Sequence, residues 1–268
     1  MTRGRMSALE FLGSELRRAR KDRSLSQEDL AQQINFSSSL VGMVEIGHRT
    51  PSLDFLTRVD AALESGGLFE RLLALVRAEA APPWLREWIS VEQEATLIRW
   101  FEPSLVPGLV QTEAYARAVL SGGGMLRPSE VEQRVTSRLE RQAVLSREQP
   151  PEFVAVVDEV VLRRQIGDAA VMAGQFDHLL RVTEWPHVHL HVVPAGVGMH
   201  PGLAGAFILA KTPEGSEVAH LDNQLRAHVT DQPDDIDSLH RAWERLRGEA
   251  LPRRASRELI QELAESWT

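Results

Sequence analysis

The stretch "LSQEDLAQQINFSSSLVGMVEIGHRTPS", residues 25–52, decides how the first part of the chain folds. Ser26 followed three residues later by Asp29 has the form of a capping box. The hydroxyl accepts from a backbone N–H of the first turn, and the carboxylate reaches back to the cap. Leu30, Ala31 and Ile34 then recur at helical spacing and give a short helix one buried face. Asn35 follows; after Gly, Asn best tolerates positive φ, so it suits a sharp helix exit. Ser37 caps the next helix, with Val41 and Val44 inward, and Gly47 breaks it. Ser52 opens another.

Working outward, Leu9, Leu12, Leu16 and Ala19 mark an amphipathic helix that ends near Asp22–Ser24. Downstream, Leu53, Leu56, Val59 and Leu63 mark a fourth, and Leu68, Leu72, Leu73 and Val76 a fifth. Residues 8–80 therefore read as five short helices, two of them joined by a very tight turn. Periodicity alone allows any small bundle. A small Ala31 that lets helices approach, Asn35 at the corner, and Val41 and Val44 as a seat narrow it to a helix-turn-helix.

The 268 residues suit one or two domains, here two. With no Cys, disulfides and thiolate metal sites are excluded. No apolar run is long enough for a bilayer, and the basic start lacks an apolar signal core, so a cytoplasmic protein is expected. The net charge of −8 argues against nucleic acid only if it is evenly spread. Residues 1–80 hold 11 basic and 11 acidic side chains, so the rest carries all of it. Arg17, Arg18, Arg20, Lys21 and Arg23 form one local basic run, and His48 with Arg49 a second.

Pro82-Pro83 marks a boundary between residues 1–80 and 81–268. Trp84, Trp88 and Trp100 read as packing anchors. Residues 81–150 read as mainly helical, ending in a long polar helix, "SEVEQRVTSRLERQAVLSRE". From residue 151 the pattern changes: "FVAVVD" and "HVHLHVV" are strands around a helix over 168–183. "GAFILAK" and "SEVAHLD" form a hairpin, and helices over 235–247 and 254–266 close the chain. The fold class is multidomain: an all-α five-helix domain, then an α+β domain with a small mixed sheet flanked by helices.

Residues 9–63 resemble the helix-turn-helix domain of phage-repressor-like (xenobiotic-response-element) transcription regulators, through "LGSELRRARKDRSLSQEDLAQQI" and "VEIGHRTPS". Residues 85–265 resemble the uncharacterised domain that follows such domains in actinobacterial regulators. The residues that carry this second likeness are "FEPSLVPGLVQTEAYARAVL", "RLERQ", "VVDEVVLRRQIG", "HVVPAGVGMHPGLAGAFIL" and "RLRGEAL". The resemblance implies binding to double-stranded DNA as a homodimer, and a small protein partner encoded nearby. It also implies roles. Gln27, Ser37, His48 and Arg49 meet phosphates, and Ser38, Ser39, Gly42 and Met43 face the bases. Arg20 and Glu45 form a structural ion pair under the recognition helix. At Gly42-Met43, where relatives often carry Ser with Arg or Lys, this chain has no long polar side chain. Direct readout is therefore expected to be modest, with specificity leaning on half-site spacing and DNA shape.

Other chemistry is weaker. His187, His189 and His191 alternate along a strand and would share one face. Val188, Leu190 and Val192 explain the same alternation as a half-buried strand, so no metal is expected. Asp158, Glu159, Arg163 and His200 fall at strand ends, where they could line a pocket or partner surface; loop-fixing hydrogen bonds or solvated charges are the favoured account of them. Asp158 and Glu159 on an extended chain would point to opposite faces, against an acid/base pair. Arg134, Arg138 and Arg141 read as surface ion pairs with Glu132 or Glu140. No catalytic residue or cofactor is expected, and no membrane. Two other readings stay open: an antitoxin-like protein that neutralises a neighbour and regulates its own operon, and a ligand- or metal-binding, enzyme-like C-terminal domain.

Overall fold

The computed structural model describes residues 6–80, 83–222 and 227–267. The chain divides into two compact units, one of residues 1–82 with 128–133, the other of residues 83–127 with 134–268. Among the described residues no helix is long and apolar enough to cross a membrane.

The N-terminal unit holds five helices: α1 (Ala8–Asp22), α2 (Gln27–Ile34), α3 (Ser38–Glu45), α4 (Leu53–Ala62) and α5 (Leu68–Ala80). The first four start on serines. Ser7 and Ser26 form complete capping boxes with Glu10 and Asp29, and Ser37 and Ser52 accept from Leu40 N and Phe55 N. Each such cap is worth about 1 kcal/mol, which matters for helices of only eight residues. The apolar faces meet in one core of Leu12, Leu16, Leu30, Ile34, Val41, Val44, Phe55, Leu56 and Phe69. Asp60, buried on α4, accepts from Phe69 N (3.0 Å) and Glu70 N (2.9 Å) and so ties down the start of α5.

The C-terminal unit is built on a six-stranded mixed sheet in the order β3-β2-β1-β4-β5-β6. Its strands are β1 (Leu97–Glu102), β2 (Glu152–Asp158), β3 (Val188–Val193), β4 (Phe207–Lys211), β5 (Glu217–Asp222) and β6 (Ala227–Thr230). The first three pair in parallel and the rest antiparallel. Among the described residues the α-helices that accompany the sheet are α6 (Pro83–Glu94), α7 (Glu113–Gly122), α8 (Pro128–Gln142, counted here from residue 134), α9 (Glu159–Arg163), α10 (Ala169–Val182), α11 (Pro233–Glu249) and α12 (Arg253–Ala264). On one face Met172, Phe176, Leu179, Ile260 and Leu263 of α10 and α12 pack against Ile98, Phe153, Ala155 and Leu190. On the other, Ile236, Trp243 and Leu246 of α11 cover Phe101, Val156, Val193 and Phe207.

Two expectations change here. The segment 81–150 is not only a helical connection, because it supplies β1, which lies between β2 and β4. Its sequence, "LIRWFE", does not read as a covered strand because Arg99 interrupts the apolar run; in the structure Arg99 pairs with Glu217 of β5 at 3.1 Å. Two of the three arginines of α8, Arg138 and Arg141, are not surface pairs. Arg141 donates to Glu92 through Nε (2.7 Å) and Nη2 (2.6 Å), and Arg138 donates to Gln111 (2.8 Å). Trp88 is fully buried and donates its indole N–H to Glu92; Trp100 is buried too. The side chain of Trp84 lies outside the described residues.

Glu102, at the end of β1, accepts from the Trp100 indole at 3.2 Å. Burial pushes its carboxyl up to about 8 from 4.5. With the folded pKa above the unfolded one, the folded state holds more protons between those values, so this group's contribution weakens as pH rises through that window. Glu102→Gln is expected to flatten the fall in urea midpoint between about pH 4.5 and 8. An unchanged slope in that variant would assign the fall to other groups.

Candidate nucleic-acid interface

The tight turn is made as its residues require. Asn35 adopts the left-handed conformation (φ 58°, ψ 50°), and Phe36 N closes back on Ala31 O at 3.0 Å. This sends the chain directly into α3. Val41 and Val44 are buried, leaving Ser38, Ser39, Gly42 and Met43 on the outward side.

Helix α1 is the platform for α3, and two features set the fit. A Cβ on Gly13 would lie 2.5 Å from Val44 O and 2.8 Å from Glu45 O, so only glycine lets α1 come this close to the end of α3. Arg20, buried, donates to Glu45 through Nε (2.5 Å) and Nη2 (2.9 Å), and to Leu25 O through Nη1 (2.6 Å). Gln27 adds a hydrogen bond from Nε2 to Glu45 at 2.8 Å. Three elements, α1, α2 and α3, thus converge on one carboxylate. A bidentate guanidinium–carboxylate pair fixes direction as well as distance, which suits a group that must hold a helix in register.

The outcome for the residues singled out from sequence is mixed. Ser38, Ser39, Gly42 and Met43 line one open groove together with Gln27. Ser37 spends its hydroxyl on the cap of α3. Gln27 lies over Gly42, where a Cβ would meet its Oε1 at 3.4 Å, and one of its two amide N–H groups is committed to Glu45, which leaves the other N–H and the carbonyl oxygen for a ligand. His48 and Arg49 stand exposed just past α3, in a turn closed by His48 N on Met43 O (2.9 Å). The basic run on α1 is weaker than its composition implies. Arg20 is consumed inside, Arg23 pairs with Glu64 at 2.8 Å, and Arg18 lies 3.9 Å from Glu15.

Sequence reasoning missed three residues of the groove, one of them Ser26, which was read only as a helix cap. Ile46 lines the same groove and is 54% exposed. It sits three residues after Met43, a spacing that places it on the same side. Glu28 also lines the groove, beside Gln27.

In the C-terminal unit the four strand-end residues form two pairs. Asp158 ends β2, caps α9 through Val160 N, and bonds His200 Nε2 at 3.0 Å. Glu159 pairs with Arg163 of the same helix and accepts from Ala195 N at 2.9 Å. The expectation of opposite faces fails because the chain turns helical at Glu159, so the extended-chain argument does not apply. Both pairs tie the loop over residues 194–205 to the end of β2. The histidine row does not act together: His187 Nε2 lies 2.9 Å from Leu145 O, and His191 Nδ1 lies 3.0 Å from Leu251 O. Burial lowers the pKa of His191 and His189. Among the described residues no group of three potential ligands could hold a metal ion.

Comparison with known families agrees with the two-part reading. A model described as a helix-turn-helix domain matches residues 12–72. One described as a domain of unknown function (DUF5753) matches residues 85–262, about two thirds of the chain. No curated protein and no solved structure matches.

Proposed function

We propose that this chain, which belongs to the DUF5753 family and carries a helix-turn-helix domain ahead of that domain, is a transcription regulator that binds double-stranded DNA through α3. The observation that carries the reading is the outward face of α3. Ser38, Ser39, Gly42 and Met43 share one open groove, His48 and Arg49 stand exposed at its end, and a buried ion pair holds the helix. In this docking the helix enters the major groove while backbone N–H groups and Arg49 meet phosphates. Binding is as a homodimer in the cytoplasm, where paired half-sites add the specificity that a short reading face lacks.

The C-terminal domain is the regulatory part and has no reaction of its own. It takes a small protein partner whose binding shifts DNA affinity, and DNA in turn shifts partner affinity by the same factor. Two exposed apolar side chains support a docking role, Met199 (87%) and Leu203 (55%), on the loop that His200 and Glu159 anchor.

Arg49→Ala tests the docking. It is expected to weaken binding to all duplexes alike and to lower the slope of log affinity against log salt by about 1. Titrations across 50–200 mM salt, with a mixed-sequence duplex and with the DNA upstream of the protein's own gene, read both effects. An unchanged slope would remove Arg49 from the phosphate contacts and oppose this docking.

A further inference from the structure

The groove on α3 is unusual in what it can donate. Gln27 Nε2 spends one of its two N–H groups on Glu45, and the Arg20 guanidinium is turned inward, each of its nitrogens donating to Glu45 or Leu25 O. The side chains left to meet a ligand are the Ser26, Ser38 and Ser39 hydroxyls, the second N–H of Gln27, and two acceptors, Gln27 Oε1 and the Glu28 carboxylate. Guanine presents two acceptors in the major groove and is read by a two-pronged donor, which this face lacks. What it does present is hydrocarbon: Met43, half-buried, and Ile46, 54% exposed. The one apolar group on a base edge in the major groove is the thymine 5-methyl.

We infer that α3 reads DNA chiefly through thymine methyls, with Met43 and Ile46 packing on two successive thymines of one strand. This rests on the DNA-binding reading above and adds which bases are selected. The spacing agrees: residues three apart on a helix rise about 4.5 Å, close to the ~3.4 Å step between bases on a strand. The partner adenines offer N6–H donors, which the carbonyl of Gln27 and the carboxylate of Glu28 can accept. Gly42 is part of the device. With no side chain there, Gln27 can lie across α3, and Met43 and Ile46 carry the outward contact.

The test uses the full chain. Bound duplexes are first selected from a random pool at moderate salt, and affinity is then measured for the winner with each thymine replaced by deoxyuridine, which removes only the methyl. The selected half-site should contain two adjacent thymines. Each of these two replacements should weaken binding roughly three- to fivefold, the worth of one buried methyl. Met43→Ala should cancel the effect at one thymine and Ile46→Ala at the other, while Met43→Leu keeps it. A selected site centred on guanine, or full affinity for the deoxyuridine duplex, overturns the inference and leaves DNA binding standing. Absence of any salt-dependent duplex binding overturns the DNA-binding reading itself, and this inference with it.

Discussion

Replacing Arg20 with Met, or Glu45 with Ala, is expected to cost about 3–5 kcal/mol of folding stability and to abolish DNA binding, because either change leaves an uncompensated charge in a dry site. The Arg20 and Glu45 side chains are 8% and 1% exposed, so water cannot replace the lost partner. Without Arg20, Glu45 keeps only Gln27, and Leu25 O loses its donor. Without Glu45, a guanidinium is stranded between helices and Gln27 loses its anchor. The double variant Arg20→Met/Glu45→Leu separates stability from function. It removes both charges and should recover most of the stability, as buried pairs replaced by apolar residues often do. It should not recover DNA binding, since nothing then holds Gln27 over Gly42. Urea midpoints and duplex titrations of the three variants read both effects. Single variants as stable as the parent would show that the network does not hold α3.

The second large effect is expected in the other unit. Glu92→Ala should also cost about 3–5 kcal/mol, since Glu92 is fully buried, Arg141 is 12% exposed, and the two share a bidentate contact. The variant strands the Arg141 guanidinium and frees the Trp88 indole N–H as well. Glu92→Gln should cost less, because an amide oxygen can still accept one of those hydrogen bonds. Thermal unfolding followed by Trp fluorescence distinguishes the two variants. Equal loss for Ala and Gln would mean that charge, rather than hydrogen bonding, carries the whole effect.

Much of the N-terminal fold was legible because its signals are local. A serine cap, an apolar residue every three or four positions, and Asn at a corner each act within one turn of the chain, and the structure places them as they read. The outward side of α3 followed from the same spacing, as the side away from Val41 and Val44, while its reading role came only from the resemblance. What was hidden depended on contacts distant in sequence. Nothing near Gly13 says that a carbonyl of α3 will sit 2.5 Å from its missing Cβ. That one of the two amide N–H groups of Gln27 goes to Glu45 could not be read either, because Glu45 lies 18 residues away. In the C-terminal unit β1 was missed because Arg99 reads as a surface residue until Glu217, 118 residues on, is placed beside it. Arg138 and Arg141 of α8 were misread for the same reason: Gln111 precedes Arg138 by 27 residues and Glu92 precedes Arg141 by 49.

The central claim is that the outward face of α3 is the DNA-binding surface. Ser39 is the position to test, being exposed on that face, within the first turn of α3. The measurement is capture of fragmented genomic DNA by the purified full chain, sequenced for the parent and for Ser39→Glu, which sets a carboxylate against bases and phosphates. The parent should enrich discrete fragments, and Ser39→Glu should enrich none while unfolding at the same urea midpoint. Equal enrichment by both proteins would contradict it.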